Sequence, residues 1–248
     1  MTYFIALTCE ALSRSVYAAA AAAPHPVTVR LFTQGLHTRP PALRETLQAA
    51  IDRIDADECA AILLAYGMCG TATVGLVARH TPLVMPRAHD CITLYLGSRE
   101  RYQQEFERHP GTYWYSVDYM ERQNPDAPAA IGGGGLEISP TQYEAYVARY
   151  GQDMADMLVA EMQRWMAHYT RAAFVDTGLG DLAAFEEQAK ARAAREGWVY
   201  ERLEGNRRLV EMLVRGEWPE DEFLVVPPGH VIEASHDDRI LQVRPVDA

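Results

Sequence analysis

Four short apolar runs, "YFIAL", "VTVRLF", "AAILLAY" and "TPLVMP", divide the first part of the chain at near-regular intervals. Segments that read as helices lie between and after them: the Ala-rich "EALSRSVYAAAAAA", "PALRETLQAAIDRI", the short "TATVGLVARH", and "CITLYLGSRERYQQEFERH" with a charged outer face. In the second of these, Leu43, Leu47, Ile51 and Ile54 fall on one helical face. Strands that alternate with helices build a parallel sheet covered by helices. The fold class expected is therefore α/β.

A stretch rich in Pro, Gly and Tyr interrupts the alternation, "PGTYWYSVDYMERQNPDAPAAIGGGGLEISP". It reads as a lid-like excursion, with "IGGGG" as a hinge or loop tip. No Gly-Lys-Ser/Thr follows those glycines, so they do not form a phosphate loop. One long helix, "TQYEAYVARYGQDMADMLVAEMQRWMAHY", is expected next. The alternation then resumes with the strand "RAAFVDTG", a helix capped by Asp181 and stopped by Gly197, the strand "WVYERL", the helix "NRRLVEMLVRGE", the strand and turn "EFLVVPPGH", and a last edge strand "ILQVRP". The expected organisation is two Rossmann-like halves, 1–110 and 171–248, around one cleft, with 111–170 as the excursion and long helix between them.

The formal net charge of -11, with Lys190 the only lysine, argues against nucleic acid and anionic membrane as partners. The start "MTYFIALTCEALSR" lacks the basic opening and long apolar run of a signal peptide, and no stretch approaches the ~20 apolar residues of a membrane span. The expected location is the cytoplasm. Four cysteines in a reducing compartment are expected to be ligands, nucleophiles or buried thiols.

Ligands of open parallel sheets bind at the carboxyl ends of the strands. After the first strand comes Cys9-Glu10, after the second "TQGLH" ending at His37, after the third "GMCG" with Cys69, and after the fourth Arg87, His89, Asp90 and Cys91. In the second half, "VDTG" brings Asp176 and Thr177, and "VVPPGH" brings His230. All of these are expected on one rim. Cys59 precedes its strand and falls on the opposite edge.

Thiolates and imidazole suit zinc, which gives a metal set of Cys9, Cys69, Cys91 and His89, with His37 as an alternative fourth ligand. The same thiolates suit an iron–sulfur cluster with one iron left for substrate. A metal-free alternative pairs Cys69 or Cys91 with His89 as nucleophile and base. Glu10, Asp90 and His37 are the candidates for proton transfer and orientation, although Glu10 also suits a helix start and Asp90 a cap. Arg87 and Arg99 are candidate anchors for an anionic group on a small-molecule substrate. Tyr113 and Trp114 on the excursion are candidates to cover the site, and Asp176, Thr177 and His230 to contact substrate. The expected activity is that of a zinc-dependent transferase acting on a small anionic or thiol substrate, with alkyl or methyl transfer as the reaction class. A module that binds a corrinoid or a metal without turnover is the alternative, and association into a homo-oligomer is compatible with either.

The blocks "TQGLH", "LLAYGMCG", "PRAHDCITLYLGSRERY", "PGTYWYS", "FVDTGL", "LEGNRRLVEMLVRGEW" and "FLVVPPGH" occur in this order along nearly the whole chain. In them the chain resembles the domain-of-unknown-function family sixteen thirty-eight. The resemblance implies a bacterial or archaeal cytoplasmic protein of a family associated with corrinoid-dependent methyl-transfer gene sets, which makes a corrinoid methyl-transfer system a candidate partner, and it implies no particular activity.

Overall fold

A computed structural model describes residues 3–122 and 140–246. The "IGGGG" stretch lies outside the described residues. In chain order the elements begin with β1 (Phe4–Cys9), a 3-10 turn (Glu10–Leu12), α1 (Ser13–Ala21), β2 (Val27–Phe32), a second 3-10 turn (Gln34–Thr38), α2 (Pro40–Ile51), β3 (Ala61–Ala65), β4 (Leu83–Pro86), α3 (Cys91–Leu96) and α4 (Arg99–Arg108). They continue with β5 (Thr112–Ser116), α5 (Val117–Met120), α6 (Pro140–Tyr150), α7 (Gln152–Met166), β6 (Arg171–Asp176), α8 (Leu182–Glu196) and β7 (Val199–Glu204). The last elements are α9 (Arg208–Arg215), β8 (Phe223–Val226), β9 (His230–Ala234) and β10 (Leu241–Pro245). The protein is a mixed α/β structure with parallel sheets and helices.

Two compact units are present, one from Met1–Tyr102 with Gly205–Ala248, the other from Gln103–Glu204. This grouping departs from the consecutive segments 1–110, 111–170 and 171–248. The C-terminal stretch rejoins the first unit because β8 completes its sheet.

The first unit holds a five-stranded sheet of order β2-β1-β3-β4-β8. β1, β2, β3 and β4 are parallel, and β8 pairs antiparallel with β4. β1 and β3 are buried along their whole length, as strands covered on both faces must be. From β1 the chain moves outward to β2 and then returns past β1 to β3. With right-handed crossovers this puts α1 and α2 on opposite faces and leaves a crevice between the carboxyl ends of β1 and β3. α2 buries Leu43, Leu47 and Ile51, as its periodicity predicts. α9 packs on α1, β3 and β4.

Three local expectations are corrected. "TATVGLVARH" forms turns, because β9 takes its backbone groups: Gly75 N–H donates to Ile232 O (2.8 Å) and Ala78 N–H to His230 O (2.9 Å). The helix expected from Cys91 onward breaks at Gly97, whose φ of 72° closes α3. A Cβ there would lie 2.6 Å from Asn206 O, so only glycine admits the returning chain. The long helix after residue 140 is two helices, parted at Gly151 with φ 82°.

The second unit is built on a parallel sheet of order β5-β6-β7. Tyr113, Tyr115, Ala172 and Phe174 form its core with Val117, Met120, Ala189 and Ala193. Asp181 caps α8 by accepting from Ala183 N–H, and Gly197 ends it at φ 72°, both as the sequence predicts. No helix among the described residues is long and apolar enough to cross a membrane.

Candidate functional site

β1 delivers Cys9 to the carboxyl edge of the first sheet, where it is 2% exposed. Its Sγ accepts from Ala11 N–H (3.4 Å) and lies 3.1 Å from His37 Nε2. His37 comes from the 3-10 turn after β2, and Glu10 holds that turn by accepting from Gln34 N–H (3.1 Å). The His37 ring stacks on Tyr66, the residue following β3, with centroids 6.0 Å apart and planes 18° from parallel. Burial lowers the His37 pKa to about 4, so the imidazole is neutral near pH 7.

The loops after β3 and β4 are joined through their backbones. Met68 N–H donates to Ala88 O (2.7 Å) and Cys69 N–H to His89 O (2.9 Å). Gly67 permits this approach, since a Cβ there would fall 2.7 Å from Asp90 Cα. Cys69, Gly70 and Thr71 follow with φ of 49°, 63° and 85°, a left-handed run that side chains other than glycine rarely adopt. Cys91 opens α3 and is 6% exposed. Asp90 caps the helix by accepting from Ile92 N–H (2.9 Å), and its other oxygen accepts from Tyr102 Oη (3.1 Å). Tyr95 Oη donates to Ala11 O, which ties α3 to the turn that follows Cys9.

Electrostatics mark these groups as one cluster. Burial, then the neighbouring Cys9 and Asp90, push the Cys69 thiol up. Burial, then Asp90, Cys69 and Cys9, push up the Cys91 thiol. Tyr66 is raised by burial, then by Cys9, Cys69 and Glu10. Burial raises Asp90 against the opposing hydrogen bonds from Tyr102 and the helix backbone. A desolvated group of acids of this kind stays protonated until a cation or donor joins it. Among the described residues, no three His, Cys, Asp or Glu side chains stand at the spacing that holds a metal ion.

Several expected members lie elsewhere. The His89 side chain is exposed, and its contribution to the loop is its carbonyl. The Arg87 guanidinium donates to the carbonyls of Glu220 (2.8 Å), Phe223 (3.2 Å), Arg239 (3.0 Å) and Leu241, which takes up the fork expected to hold an anion. Arg99 likewise donates to Asp238 O and to Asp221 O (2.8 Å). Both arginines fasten residues 205–248 to residues 1–102 within the first unit. His230 opens β9, and because β8 runs antiparallel, Val226 at its end pairs with Leu83 at the amino end of β4. His230 is therefore on the rim opposite to the one expected. Cys59 is buried and precedes β3, as expected.

In the second unit, Tyr113 and Trp114 are buried within β5 and are core, not lid. Alternating aromatics in "TYWYS" fit a strand, a signal outweighed in the sequence by the surrounding Pro and Gly. Asp176 ends β6, where it pairs with Arg202 (2.5 Å) and accepts from Gly178 N–H (2.7 Å); Thr177 beside it is buried.

Sequence reasoning passed over Gln34 and Tyr66, which are 3% and 1% exposed. Both amide atoms of Gln34 and the Tyr66 hydroxyl are buried without a hydrogen-bond partner among the described residues, as are Ser13 Oγ and Thr93 Oγ1. A tyrosine closing an otherwise apolar strand was the available signal.

No curated protein and no solved structure matches the chain. A family model described as "Protein of unknown function (DUF1638)" matches residues 31–214. The match takes in Gln34, His37, Tyr66, Cys69 and Cys91 and starts beyond Cys9 and Glu10. Residues 31–214 are most of the 248-residue chain, which belongs to the DUF1638 family.

Proposed function

We propose that this chain is a metal-dependent enzyme whose thiolate-rich centre takes zinc and acts on a small thiol, with alkyl or methyl transfer as the reaction class. The observation that carries the reading is the arrival of Cys9, Cys69 and Cys91, from three separate strand ends, in one desolvated cluster beside the point where the strand order reverses. The donor types are those that zinc takes: three soft sulfurs, with the neutral imidazole of His37 as the fourth ligand in place of the exposed His89. When bound, such a cation lowers the pKa of a coordinated thiol and makes it a nucleophile at neutral pH. Asp90 positions α3 and Tyr102, and Glu10 positions the turn that carries His37.

The proposal reads both parallel sheets as Rossmann-like halves, supported in the first by its strand order. No disulfide joins the cysteines among the described residues, which suits the cytoplasm. Action beside a corrinoid methyl-transfer system rests on the family resemblance alone.

A second reading is favoured by one contact. Cys9 Sγ and His37 Nε2, 3.1 Å apart, form a thiol–imidazole pair in which a neutral His37 can accept the thiol proton. Elemental analysis of the purified protein, with zinc titration of the metal-free chain, separates the readings. About one tight zinc per chain, lost in Cys9→Ala and Cys91→Ala, supports the enzyme. Iron with a brown colour replaces zinc by a cluster, and a metal-free chain that binds cobalamin replaces the enzyme by a binding module. A chain that takes up no metal, and whose alkylation at Cys9 slows in His37→Gln, supports the pair.

A further inference from the structure

We infer that Gln34 and Tyr66 recognise the substrate of this site, and that the substrate carries a neutral carboxamide. The inference rests on the proposed location of the site and adds the chemistry of the molecule that enters it. Buried polar side chains are nearly always hydrogen-bonded, and an unpaired one destabilises the protein that holds it. Here the Tyr66 hydroxyl and both ends of the Gln34 amide are buried with no partner among the described residues. Ser13 Oγ and Thr93 Oγ1, fully buried and equally without partners among the described residues, lie in the first turns of α1 and α3, the helices that come next after Cys9 and open at Cys91.

Tyr66 and Gln34 border the cluster. Cys9, Cys69 and Glu10 all act on the Tyr66 phenol, and its ring lies against His37. Gln34 and His37 are three residues apart in one 3-10 turn, where side chains at that spacing eclipse, so Gln34 shares the face on which His37 meets Cys9.

The surroundings decide the charge of the ligand. Arg87 and Arg99 are engaged by backbone carbonyls. The Gln34 amide offers a donor beside an acceptor. A carboxamide answers both, whereas a carboxylate answers the donor and sets its second oxygen against Oε1. The Tyr66 hydroxyl, buried without a partner among the described residues, donates to a carbonyl or hydroxyl oxygen of the ligand.

The test is calorimetric binding of 3-mercaptopropionamide and 3-mercaptopropionate to the full-length chain, zinc-loaded and metal-free. The amide is expected to bind at least about tenfold tighter than the acid. Gln34→Leu should reduce that preference to under about threefold, and Tyr66→Phe should weaken the amide at least about fivefold. Both variants should raise the thermal midpoint of the ligand-free protein, because each removes an unpaired buried polar group; that rise also shows that they fold. Equal or tighter binding of the acid, no binding of the amide at about 10 mM, an unchanged preference in Gln34→Leu, or a lowered midpoint overturns the inference. Zinc uptake measured alongside separates the two claims. An amide preference in a chain that takes no zinc sinks the metal reading alone, and zinc uptake with no amide preference sinks this inference alone.

Discussion

His37 shows how burial sets the chemistry of a single side chain. Its pKa falls from 6.5 to about 4 on folding. Between those values the unfolded chain binds the extra proton, so the neutral ring's contribution to stability is complete above about pH 6.5 and is lost as pH falls toward 4. The loss amounts to at most about 3 kcal/mol. Urea denaturation at pH 7.5 and pH 4.5 should therefore show a smaller acid penalty in His37→Gln than in the parent chain, and equal penalties would remove His37 from the buried cluster. The acidity of the thiols has a matching consequence. Burial and mutual repulsion keep Cys69 and Cys91 protonated, so zinc uptake must release protons and tighten as pH rises. Proton release measured in two buffers of different ionisation enthalpy checks this. Cys59→Ser should leave zinc uptake unchanged, because Cys59 precedes β3 at the other edge.

At the scale of elements, two features hold the site's loops in place. Gly67 lets the loop after β3 lie on the backbone of Asp90, and Gly67→Ala forces the two loops apart. A loss of about 2 kcal/mol or more is expected, together with weaker zinc uptake, because the Cys69 and Cys91 loops no longer meet. Arg87 works differently. It is 5% exposed and binds four carbonyls contributed by the segment around β8 and β10. Lysine keeps the charge and loses the planar fork, so Arg87→Lys should lower stability by about 2–4 kcal/mol while leaving zinc uptake intact. Chemical denaturation and metal titration on the same sample distinguish this from the anion-anchoring role, which would leave stability unchanged.

At the scale of the whole molecule, the second unit interrupts the first. The chain leaves the first unit after Tyr102 and returns at Gly205. Asn206 N–H donates to Tyr95 O (2.7 Å), so the return lies beside the end of α3. Residues 1–102 joined to 205–248 by a short Gly/Ser linker should therefore fold cooperatively and take up zinc, since every residue of the proposed centre is in the first unit. Circular dichroism melts with metal titration check this; a linker protein that stays unfolded would show that residues 103–204 are needed for folding of the first unit.

The local pattern of the chain was enough to determine much of this protein. Strand and helix alternation, the apolar face of α2, the Asp181 and Gly197 caps, the Asp90 cap and the three strand-end cysteines are all legible, because each depends on residues a few positions apart. The tertiary structure alone decided what depends on distant partners. The antiparallel pairing of β8 with β4 moved His230 to the other rim, and β9 turned an expected helix into turns. Carbonyls more than a hundred residues away claimed Arg87. Gln34 and Tyr66 stood out only once burial showed their polar atoms without partners. Periodicity and capping are properties of neighbouring residues, whereas strand direction and the satisfaction of a buried polar atom depend on contacts that form only when remote segments pack.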